Sequence, residues 1–577
     1  MGLTGSLLIG QSALAASQLA LQVTGNNIAN VGTEGYHRQR VSLVPAPGQQ
    51  IGPRATVGGG VSVSEVRRAL DPALQSRLRN SISDERGASI DHDVLSRIES
   101  ILDDLSDTGL SNRLAAFFNA FSELANSPAV ASGRAAVVEQ GAALASQIRD
   151  MRSQLLAART EIDDRLGTEV GRADVLLQQI ADLNKAVSAS ELGGAEDSSL
   201  RDQRDKLVSE LAGLMDITVI EHDNGSIDVL AGSTPMVLGG RSRGLGFEII
   251  STADGPAARV FLKDKHEVIA IDSGSIGGLM RQREAAITQT LSDLDSLASS
   301  IIYEVNRLHV VGRPSSRITD ISSTLALSTP DRTLALNDPT NTTFAELPFR
   351  PKSGTIEIVL TDTSGQKSTF TVNVDLDGID AGGVPGFADD TTITTLAADF
   401  DAIAGLNAQV TPDGRLRLFT DAGLDLSIKS DSSGALAALG VNSYFQGTDS
   451  GDMQIRADLR SDPSRLSVGL GDGTNETALA IAGLRDAAIA DLGGDTIAQR
   501  WGKTVERTGV QTAAARTTAQ AQATVRQSLE SQEAAVSGVS LDEEALNMIL
   551  FQQQYVGAAR FIGVVNELTA VLLGLVE

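Results

Sequence analysis

Residues 1–36 read MGLTGSLLIGQSALAASQLALQVTGNNIANVGTEGY and carry one charged side chain, that of Glu34. Large aliphatic residues recur in this stretch at intervals of seven, at Leu7, Leu14, Leu21 and Ile28. This spacing places them along one side of a helix. Gly32 and Gly35 follow, as glycine does at helix ends and turns. We therefore expect the chain to begin with an apolar helix that ends in a glycine-containing turn.

The other end of the chain, residues 540–577, has the same apolar character. It opens with Ser540-Leu541-Asp542-Glu543, which is typical of a capping box: the Ser540 hydroxyl caps a free backbone N–H and the Glu543 carboxylate reaches back to the helix start. Beyond this box, apolar rows with seven-residue spacing cover several faces and include Met548, Tyr555, Ile562, Val565 and Leu572. A helix that is apolar over much of its circumference is buried on several sides.

The chain between the two ends contains further helical patterns. Apolar residues alternate in steps of four and three from Ile287 to Leu308, which is the spacing of a coiled coil. Similar patterns run over 148–162 and 170–187, the second interrupted by the polar Asn184. Residues 501–536 also favour a helix, with a seam rich in Ala, Thr and Gln.

Two segments change to the alternation expected of β-strands. In the first, Ile217–Ile220 and Ile227–Leu230 flank Asn224-Gly225, a strong hairpin signal. In the second, strand patterns flank Ser364-Gly365 and the turn Pro412-Asp413-Gly414. Residues 351–450 hold fourteen Asp or Glu against five Lys or Arg, a composition that fits a solvated outer domain.

The order helix, strand, helix, strand, helix predicts a multidomain α+β protein. We expect a terminal helical domain from 1–40 plus 540–577, with its helices in a coiled-coil-like layer. A long helical-bundle domain would be built from both halves of the chain, 41–215 plus 275–340 plus 446–539. Two β-rich insertions, 216–274 and the acidic 341–445, would project outward. A chain of 577 residues is too long for one hydrophobic core, which agrees with several domains.

Composition excludes several functions. The net charge of −26 leaves no basic face for the phosphates of nucleic acid or for an anionic membrane, so we expect no partner of either kind. The absence of cysteine excludes disulfides and thiolate chemistry. No Lys or Arg precedes Arg38, so no cleavable signal peptide is predicted. No uninterrupted apolar run reaches the length of a membrane span, and we expect no membrane insertion.

No catalytic, cofactor or metal motif stands out, and we expect a protein that is not an enzyme. The five histidines lack metal-ligand spacing. Gly502-Lys503-Thr504 resembles the end of a phosphate-binding loop but has Ile497 where that loop needs glycine. Asp375, Asp377 and Asp380 surround Gly378 without the spacing of a calcium-binding EF-hand, so we interpret them as an acidic turn between strands.

The residues after the first helix resemble a known signature. They read Asn26-Asn27-Ile28-Ala29-Asn30-Val31-Gly32-Thr33-Glu34-Gly35-Tyr36-His37-Arg38. This run is similar to the N-terminal signature of bacterial flagellar rod, hook and hook-associated proteins. The family usually has proline where this chain has Glu34, so the turn loses rigidity while Gly35 keeps it permissive. The resemblance marks five residues as the family's turn: Asn27, Asn30, Gly32, Gly35 and Tyr36.

The C-terminal run Gly538–Ile549 looks like the family's second signature. The residues that follow, Phe551-Gln552-Gln553-Gln554-Tyr555, resemble the hook-associated protein 1 branch, as does the stretch Leu439–Gly447. Rod and hook proteins of the family are largely β in the middle of the chain, whereas this chain has helical heptads there. The two terminal signatures cover only about 60 residues, but they stand in the correct order at the two ends.

The resemblance implies a structural subunit that forms the first ring between hook and filament. Such a protein is exported unfolded by the flagellar type III apparatus, and its terminal helices order on assembly. The implied partners are further copies of itself, the hook protein, hook-associated protein 3 and a cytoplasmic export chaperone at the C-terminal helices. The implied location is the extracellular flagellum. We expect contacts between subunits at Leu7, Leu14, Leu21, Ile28, Met548, Tyr555, Ile562, Val565 and Leu572, with ordinary helix packing within one subunit as the alternative.

Three alternatives remain open at this point. The chain could be another axial protein, such as a hook or distal rod subunit. It could be a wall hydrolase fused to an axial backbone, for which no catalytic constellation is visible. It could also be a surface adhesin, with the acidic region 351–450 as its binding module.

Overall fold

The computed structural model describes residues 2–52, 55–104, 106, 108–252, 255–345, 347, 349–471 and 473–574. The α-helices, in chain order, are α1 Gly2–Ala29, α2 Pro72–Leu102, α3 Leu110–Asn126, α4 Ala131–Ser190, α5 Ser198–Leu214, α6 Gly274–Gln282, α7 Thr288–His309, α8 Thr342–Ala345, α9 Ile393–Asp401, α10 Ala435–Leu439, α11 Ala457–Ser461, α12 Glu476–Gly483, α13 Ile497–Ser537 and α14 Leu541–Gly574.

The β-strands are short and pair antiparallel. In chain order they are β1 Gln39–Pro45, β2 Gln49–Gly52, β3 Ala55–Val57, β4 Val61–Arg68, β5 Thr218–Glu221, β6 Ile227–Ala231, β7 Thr234–Leu238, β8 Arg241–Ser242, β9 Leu245–Thr252, β10 Gly255–Leu262, β11 Glu267–Val268, β12 Asp320–Ser322, β13 Gly354–Thr361, β14 Lys367–Val374, β15 Leu406–Val410, β16 Leu416–Thr420, β17 Asp425–Asp431, β18 Phe445–Gln446 and β19 Gln454–Ile455. Long helices with several small sheets confirm the multidomain α+β class.

The heptad patterns of the sequence form the helices that were expected. The stretches 148–162 and 170–187 lie on one uninterrupted helix, α4, and their apolar positions are buried. On α7 the buried positions include Leu294, Ala298, Ile301 and Val305, as the four-three spacing predicts.

The first compact unit comprises the described residues of Met1–Val94, Glu161–Glu284 and Ala513–Glu577. Within it, β5 to β8 form a four-stranded sheet and β9 to β11 a three-stranded one. The Asn224-Gly225 hairpin is confirmed, because β5 and β6 pair across it and Gly225 has the positive φ of 77° that the turn requires. Helix α14, from the C-terminal segment 540–577, also belongs to this unit. Residues 575–577 of that segment lie outside the described residues.

Asn184 fixes this four-stranded sheet to α4. Its amide nitrogen donates to the carbonyl oxygens of Ile227 and Gly239, each at 2.7 Å, and its Oδ1 accepts from the backbone N–H of Ile227 at 3.1 Å. Arg204, which is buried, donates to the same Oδ1 at 3.1 Å. The polar interruption of the heptad is thus a fully bonded anchor.

The segment after the first helix differs from the sequence expectation. Residues 41–70 were assigned to the helical bundle, but β1 pairs with β4 and β2 with β3. The reason is local: Val41 and Leu43 alternate with polar residues, as do Val61 and Val63, and Pro45 and Pro47 oppose a helix.

The second compact unit comprises the described residues of Leu95–Thr160 and Ala285–Thr512. It has two three-stranded sheets, ordered β12-β16-β15 and β14-β13-β17. The predicted turns at Ser364-Gly365 and Pro412-Asp413-Gly414 both join paired strands, β13 with β14 and β15 with β16. Their glycines have φ values of 85° and 87°.

An aromatic cluster forms part of the core of this second unit. Phe117 and Phe121 of α3 pack against Tyr444 with ring centroids 5.8 and 5.6 Å apart. The Tyr444 hydroxyl donates to the Val137 carbonyl at 2.7 Å. Gly141 is necessary here, because a Cβ at this position would stand 2.1 Å from that hydroxyl.

His309 closes this core in its neutral form. Its Nδ1 donates to the Asn442 carbonyl at 2.7 Å, and its Nε2 accepts from the Ser467 N–H at 3.0 Å, which fixes the tautomer. Burial lowers the pKa of His309 from 6.5 to about 3, with the positive charge of Arg456 acting in the same direction.

This depressed pKa predicts a pH dependence of stability. The unfolded imidazole takes up a proton below its usual pKa of 6.5 while the folded one stays neutral down to about pH 3, so the His309 contribution is present above pH 6.5 and is lost as the pH falls towards 3. We expect the free energy of unfolding to fall by up to about 1.4 kcal/mol per pH unit from this group. Denaturant unfolding of the wild type and of His309→Gln at pH 7 and 5 measures it. Equal pH slopes in the two proteins would contradict it.

Candidate assembly surface at the paired chain ends

The two chain ends form one antiparallel helix pair within the first unit. Gly10, in the first half of α1, lies against Ile562 in the second half of α14, while Asn27, near the end of α1, bonds Glu544 at the start of α14. A Cβ at Gly10 would stand 2.7 Å from the Ile562 side chain, so the helices approach closely there.

Small and polar residues form the buried line of α1. The buried residues of α1 are Gly10, Ala16, Ser17, Ala20, Val23, Thr24 and Asn27. Small side chains let two helix backbones approach, which explains why this line and not the leucine row makes the contact.

Most of α14 stays accessible to solvent. Its buried residues are Glu544, Ala558 and Val565. Large apolar side chains exposed along it include Leu546, Ile549, Leu550, Val556, Phe561, Val564, Leu568, Val571 and Leu573. Soluble monomers rarely expose a contiguous apolar surface of this kind, and such surfaces mark sites of association.

The residues that sequence selected for contacts fall into three groups. Val565 is buried against α1 at 3% exposure, so it acts inside the pair. Half-buried positions are Leu7, Leu14, Leu21, Ile28, Tyr555 and Ile562, of which Ile562 lies against Gly10 in the seam. Met548 and Leu572 are exposed, at 37% and 52%. The leucine row thus borders the seam of small residues instead of forming it.

Asn27 is the centre of the signature turn. Its Oδ1 accepts from the Tyr36 hydroxyl at 2.8 Å and from the Gln39 N–H at 2.9 Å, and its Nδ2 donates to the Gln39 carbonyl at 2.9 Å and to Glu544 Oε2 at 3.1 Å. Burial, aided by the negative charge of Asp202 and Glu544, raises the pKa of Tyr36 to about 12, so this hydroxyl keeps its proton. One amide therefore joins the end of α1, the start of β1 and the start of α14.

Glu544 is a site that the sequence pattern did not indicate. Its carboxylate is 1% exposed and receives Arg38 Nε at 2.7 Å and Arg38 Nη2 at 2.6 Å, opposite the bond from Asn27. The neighbouring Glu543, predicted to reach back to Ser540, directs a carboxylate oxygen to Arg38 Nη1 at 2.8 Å. The Ser540 carbonyl accepts the Glu544 N–H at 2.9 Å, the first bond of α14, and its hydroxyl cap stays a prediction.

The glycine turn has the backbone that the sequence required. Gly35 has φ of 79°, in the left-handed region that favours glycine. Glu34, which replaces the family's proline, is exposed and forms an ion pair with Lys206 at 3.1 Å. Asn30 Nδ2 donates to the Asn26 carbonyl at 2.9 Å, and the Thr33 N–H donates to the Asn30 carbonyl at 2.9 Å, so Asn30 closes the last turn of the helix before Gly32.

The signature continues into a buried charge cluster. His37 Nδ1 lies 2.6 Å from Asp202, and Arg68 donates to Asp202 at 2.9 Å and to Asp205 at 2.7 Å. His37, Asp202 and Asp205 have the ligand types of a metal site. Because the Arg68 guanidinium already occupies the space between the carboxylates, we interpret the cluster as an ion-pair network that ties the turn to α5.

Two helical stretches are apolar enough to cross a membrane by length and composition alone, Gly2–Ala29 and the C-terminal stretch Ala490–Gly574. This finding qualifies the expectation, drawn from uninterrupted apolar runs, that no segment inserts. Core helices of water-soluble proteins meet the same criterion. In the described structure α1 and α14 pair with each other, and their seam ends in the polar contact of Asn27 with Glu544.

Comparison with known proteins gives matches along the whole chain. Residues 95–315 match the family model described as the flagellar hook-associated protein FlgK helical domain, and residues 7–37 match that of the flagella basal body rod protein. The chain is 26% identical to flagellar hook-associated protein 1 of Salmonella typhimurium over 98% of both chains. It is 25% identical to that of Escherichia coli, again over 98% of both.

Two further matches are partial. Flagellar hook-associated protein 1 of Bacillus subtilis is 30% identical over 52% of this chain and 65% of its own. A solved structure of the flagellar hook junction protein FlgK from Burkholderia pseudomallei has a TM-score of 0.48 at 14% identity, covering 80% of this chain and 100% of that one.

The buried carboxylate predicts a strong effect of a single atom change. In Glu544→Gln the Arg38 guanidinium loses its buried counter-charge and keeps only the exposed Glu543, so we expect the α1–α14 pair to lose about 3–5 kcal/mol. Glu543→Gln is the matched control, since its side chain is 62% exposed and an exposed pair contributes at most about 1 kcal/mol. Hydrogen exchange of the backbone amides of α1 measures the local stability. Equal acceleration in both variants would show that burial of Glu544 does not hold the pair.

Proposed function

The chain belongs to the flagellar hook-associated protein 1 family, and from that premise we propose that it forms the junction ring between the hook and the filament of a bacterial flagellum. It is a structural subunit of the extracellular flagellar axis and assembles with the hook and other axial components. The observation that carries this is the alignment with the Salmonella protein from end to end, over 98% of both chains.

The alternative axial assignments are not favoured. The match of residues 95–315 to a hook-associated helical domain lies in the region where we expected hook and rod subunits to differ. The rod-protein match covers only residues 7–37, the segment that the whole axial family shares in its signature. The related proteins are structural, so a hydrolase has no support, and no described feature favours an adhesin.

The apolar surface of α14 supports assembly through the chain ends. Each Leu or Ile that moves from water into an interface contributes about 1.5–3 kcal/mol. Neighbouring subunits would cover the exposed Met548 and Leu572 and the half-buried row of Leu7, Leu14, Leu21 and Ile28. Tyr555 and Ile562 would contact both α1 and a neighbour, and Val565 would hold the pair in position.

We further propose that hook protein lies on one side of this ring and hook-associated protein 3 on the other. Before assembly, a cytoplasmic chaperone would cover the exposed apolar side chains of α14, which otherwise favour aggregation. Export through the flagellar type III apparatus, with no cleaved signal peptide, agrees with the near-absence of charge before Arg38. Neighbouring subunits would then bury the apolar side chains that the α1–α14 pair leaves exposed.

Deletion of the gene tests the junction assignment. We expect complete hooks without filaments, with filament subunit released into the medium, because the filament has no ring on which to grow. Electron microscopy of cells and immunoblotting of the medium measure both effects. Absent or shortened hooks would instead identify a hook or rod subunit, and normal filaments would exclude an axial role.

Substitution of the exposed α14 surface tests the proposed contacts. Met548→Glu with Leu572→Glu places two charges where a neighbour would bury them, and we expect motility and filament number to fall at least about tenfold. Gln552→Glu, also exposed on α14, is the matched control and should keep filaments. Both proteins should be secreted at wild-type levels with unchanged circular dichroism. Normal motility of the double variant would remove these residues from the interface.

A further inference from the structure

A cluster of three carboxylates lies in the second unit, between β14 and α9. Asp375 and Asp377 follow β14 directly, and Asp390 precedes the N-terminus of α9. One carboxylate oxygen from each lies within 4.8 Å of the other two. No salt bridge links these three groups to a Lys, Arg or His among the described residues, so their mutual repulsion has no counter-charge from the protein.

Asp390 is almost completely buried, at 2% exposure, yet one of its oxygens has no partner. Its Oδ2 accepts from Asn337 Nδ2 at 2.7 Å and from the Gly378 N–H at 3.1 Å. Its Oδ1 is buried without a hydrogen bond, and so is the Oδ1 of Asn337. Buried acceptors in folded proteins are nearly always satisfied, so two unsatisfied oxygens beside three carboxylates indicate a missing positive partner.

We propose that Asp375, Asp377 and Asp390 bind a Ca²⁺ ion, with Asn337 Oδ1 as a further candidate ligand. Oxygen ligands lie about 2.3–2.6 Å from Ca²⁺, so two oxygens on one ion are at most about 5 Å apart, which the cluster meets. All the candidate ligand atoms are oxygens, and none comes from His or Cys. Zinc and copper prefer His and Cys ligands, so this set of ligands disfavours both metals. Ca²⁺ tolerates irregular coordination by carboxylates and amide oxygens, whereas Mg²⁺ demands a near-ideal octahedron.

Asp380 does not take part, although the sequence grouped it with Asp375 and Asp377. Its Oδ1 accepts from the backbone N–H groups of Gly382 and Val384, each at 3.0 Å, and so closes its own turn. The acidic turn that sequence predicted describes Asp380, whereas Asp390, fifteen residues after Asp375, completes the cluster. This long spacing is the reason that no EF-hand pattern was visible.

A second group of possible metal ligands among the described residues shows what distinguishes the site. His37, Asp202 and Asp205 also place three ligand atoms within 4.8 Å. There the carboxylates accept hydrogen bonds from the Arg68 guanidinium, whereas the Oδ1 atoms of Asp390 and Asn337 have no hydrogen-bond donor in the described part of the chain. Bound Ca²⁺ would tie the end of β14 to the start of α9 and order the loop between them.

Titration of the full-length chain with Ca²⁺ alone tests the proposal. We expect one site with a Kd in the range of extracellular calcium modules, about 10⁻⁴–10⁻³ M, and tighter than for Mg²⁺. Asp377→Asn should weaken binding at least about tenfold, because affinity follows the number of charged ligands. Asp380→Asn, in the same loop, is the matched control and should bind as the wild type does. Equal affinity in wild type and Asp377→Asn, or tighter binding of Mg²⁺, would overturn the proposal.

A second readout separates a ligand from a merely structural carboxylate. In Asp390→Asn the amide oxygen can still accept from Asn337 and Gly378, while the loss of one negative charge relieves the repulsion with Asp375 and Asp377. We therefore expect this variant to melt at or above the wild-type temperature in chelator, and below it in millimolar Ca²⁺. A variant that melts lower than the wild type by the same amount in both buffers would show that Asp390 is structural and binds no ion.

Discussion

The terminal pair depends on one buried carboxylate, that of Glu544. Removal of an ion from water costs several kcal/mol, and only well-aligned partners offset that cost. Arg38 supplies two N–H donors and Asn27 a third, and the Asn27 amide is itself held by both backbone groups of Gln39. Any shift of α1 along α14 would break this set and leave a charge unpaired. A single polar contact thus fixes the register that apolar contacts alone would leave free to slide.

The apolar contacts of the pair, unlike its polar contact, involve small side chains and leave the larger ones largely accessible. The buried line of α1 is made of small residues, so the two backbones approach while the larger side chains are displaced to the flanks. Leu14 and Leu21 consequently lie half-buried beside the seam, and Leu572 is exposed. The contacts within the pair fix its register. Most of the large apolar side chains of α14 stay exposed, so most of their hydrophobic stabilisation would come from burial against neighbouring subunits. This division suits a subunit whose paired chain ends are covered by neighbouring subunits in the proposed assembly.

Sequence predicted those features that depend on neighbours in the chain. The period of 3.6 residues gave α4 and α7, and the alternation around Asn224-Gly225 gave a hairpin, because both signals are local. The contact of Arg38 with Glu544 joins residues 506 positions apart, and no spacing rule reaches that far. The seam of α1 was also invisible, since a line of Gly, Ala and Ser gives a weaker hydrophobic signal than the leucine row beside it. Asp390 was missed for the same reason as Glu544: its partners are distant in sequence.

Buried asparagine side chains link segments that are distant in the chain, which has few aromatic residues. Asn27, Asn184 and Asn306 are each 1% or 2% exposed, and each bonds backbone groups of another segment. Asn306, for example, accepts from the N–H groups of Tyr444 and Phe445 and donates to the Phe445 carbonyl. A buried amide has two donors and an acceptor in a fixed plane, so it costs free energy unless the opposing backbone arrives in one orientation. Apolar cores of Leu, Ile and Ala can pack in many arrangements, whereas these buried amides are satisfied in only one arrangement of the backbone around them. The specificity of the fold therefore resides in a few polar groups that composition alone would have assigned to the surface.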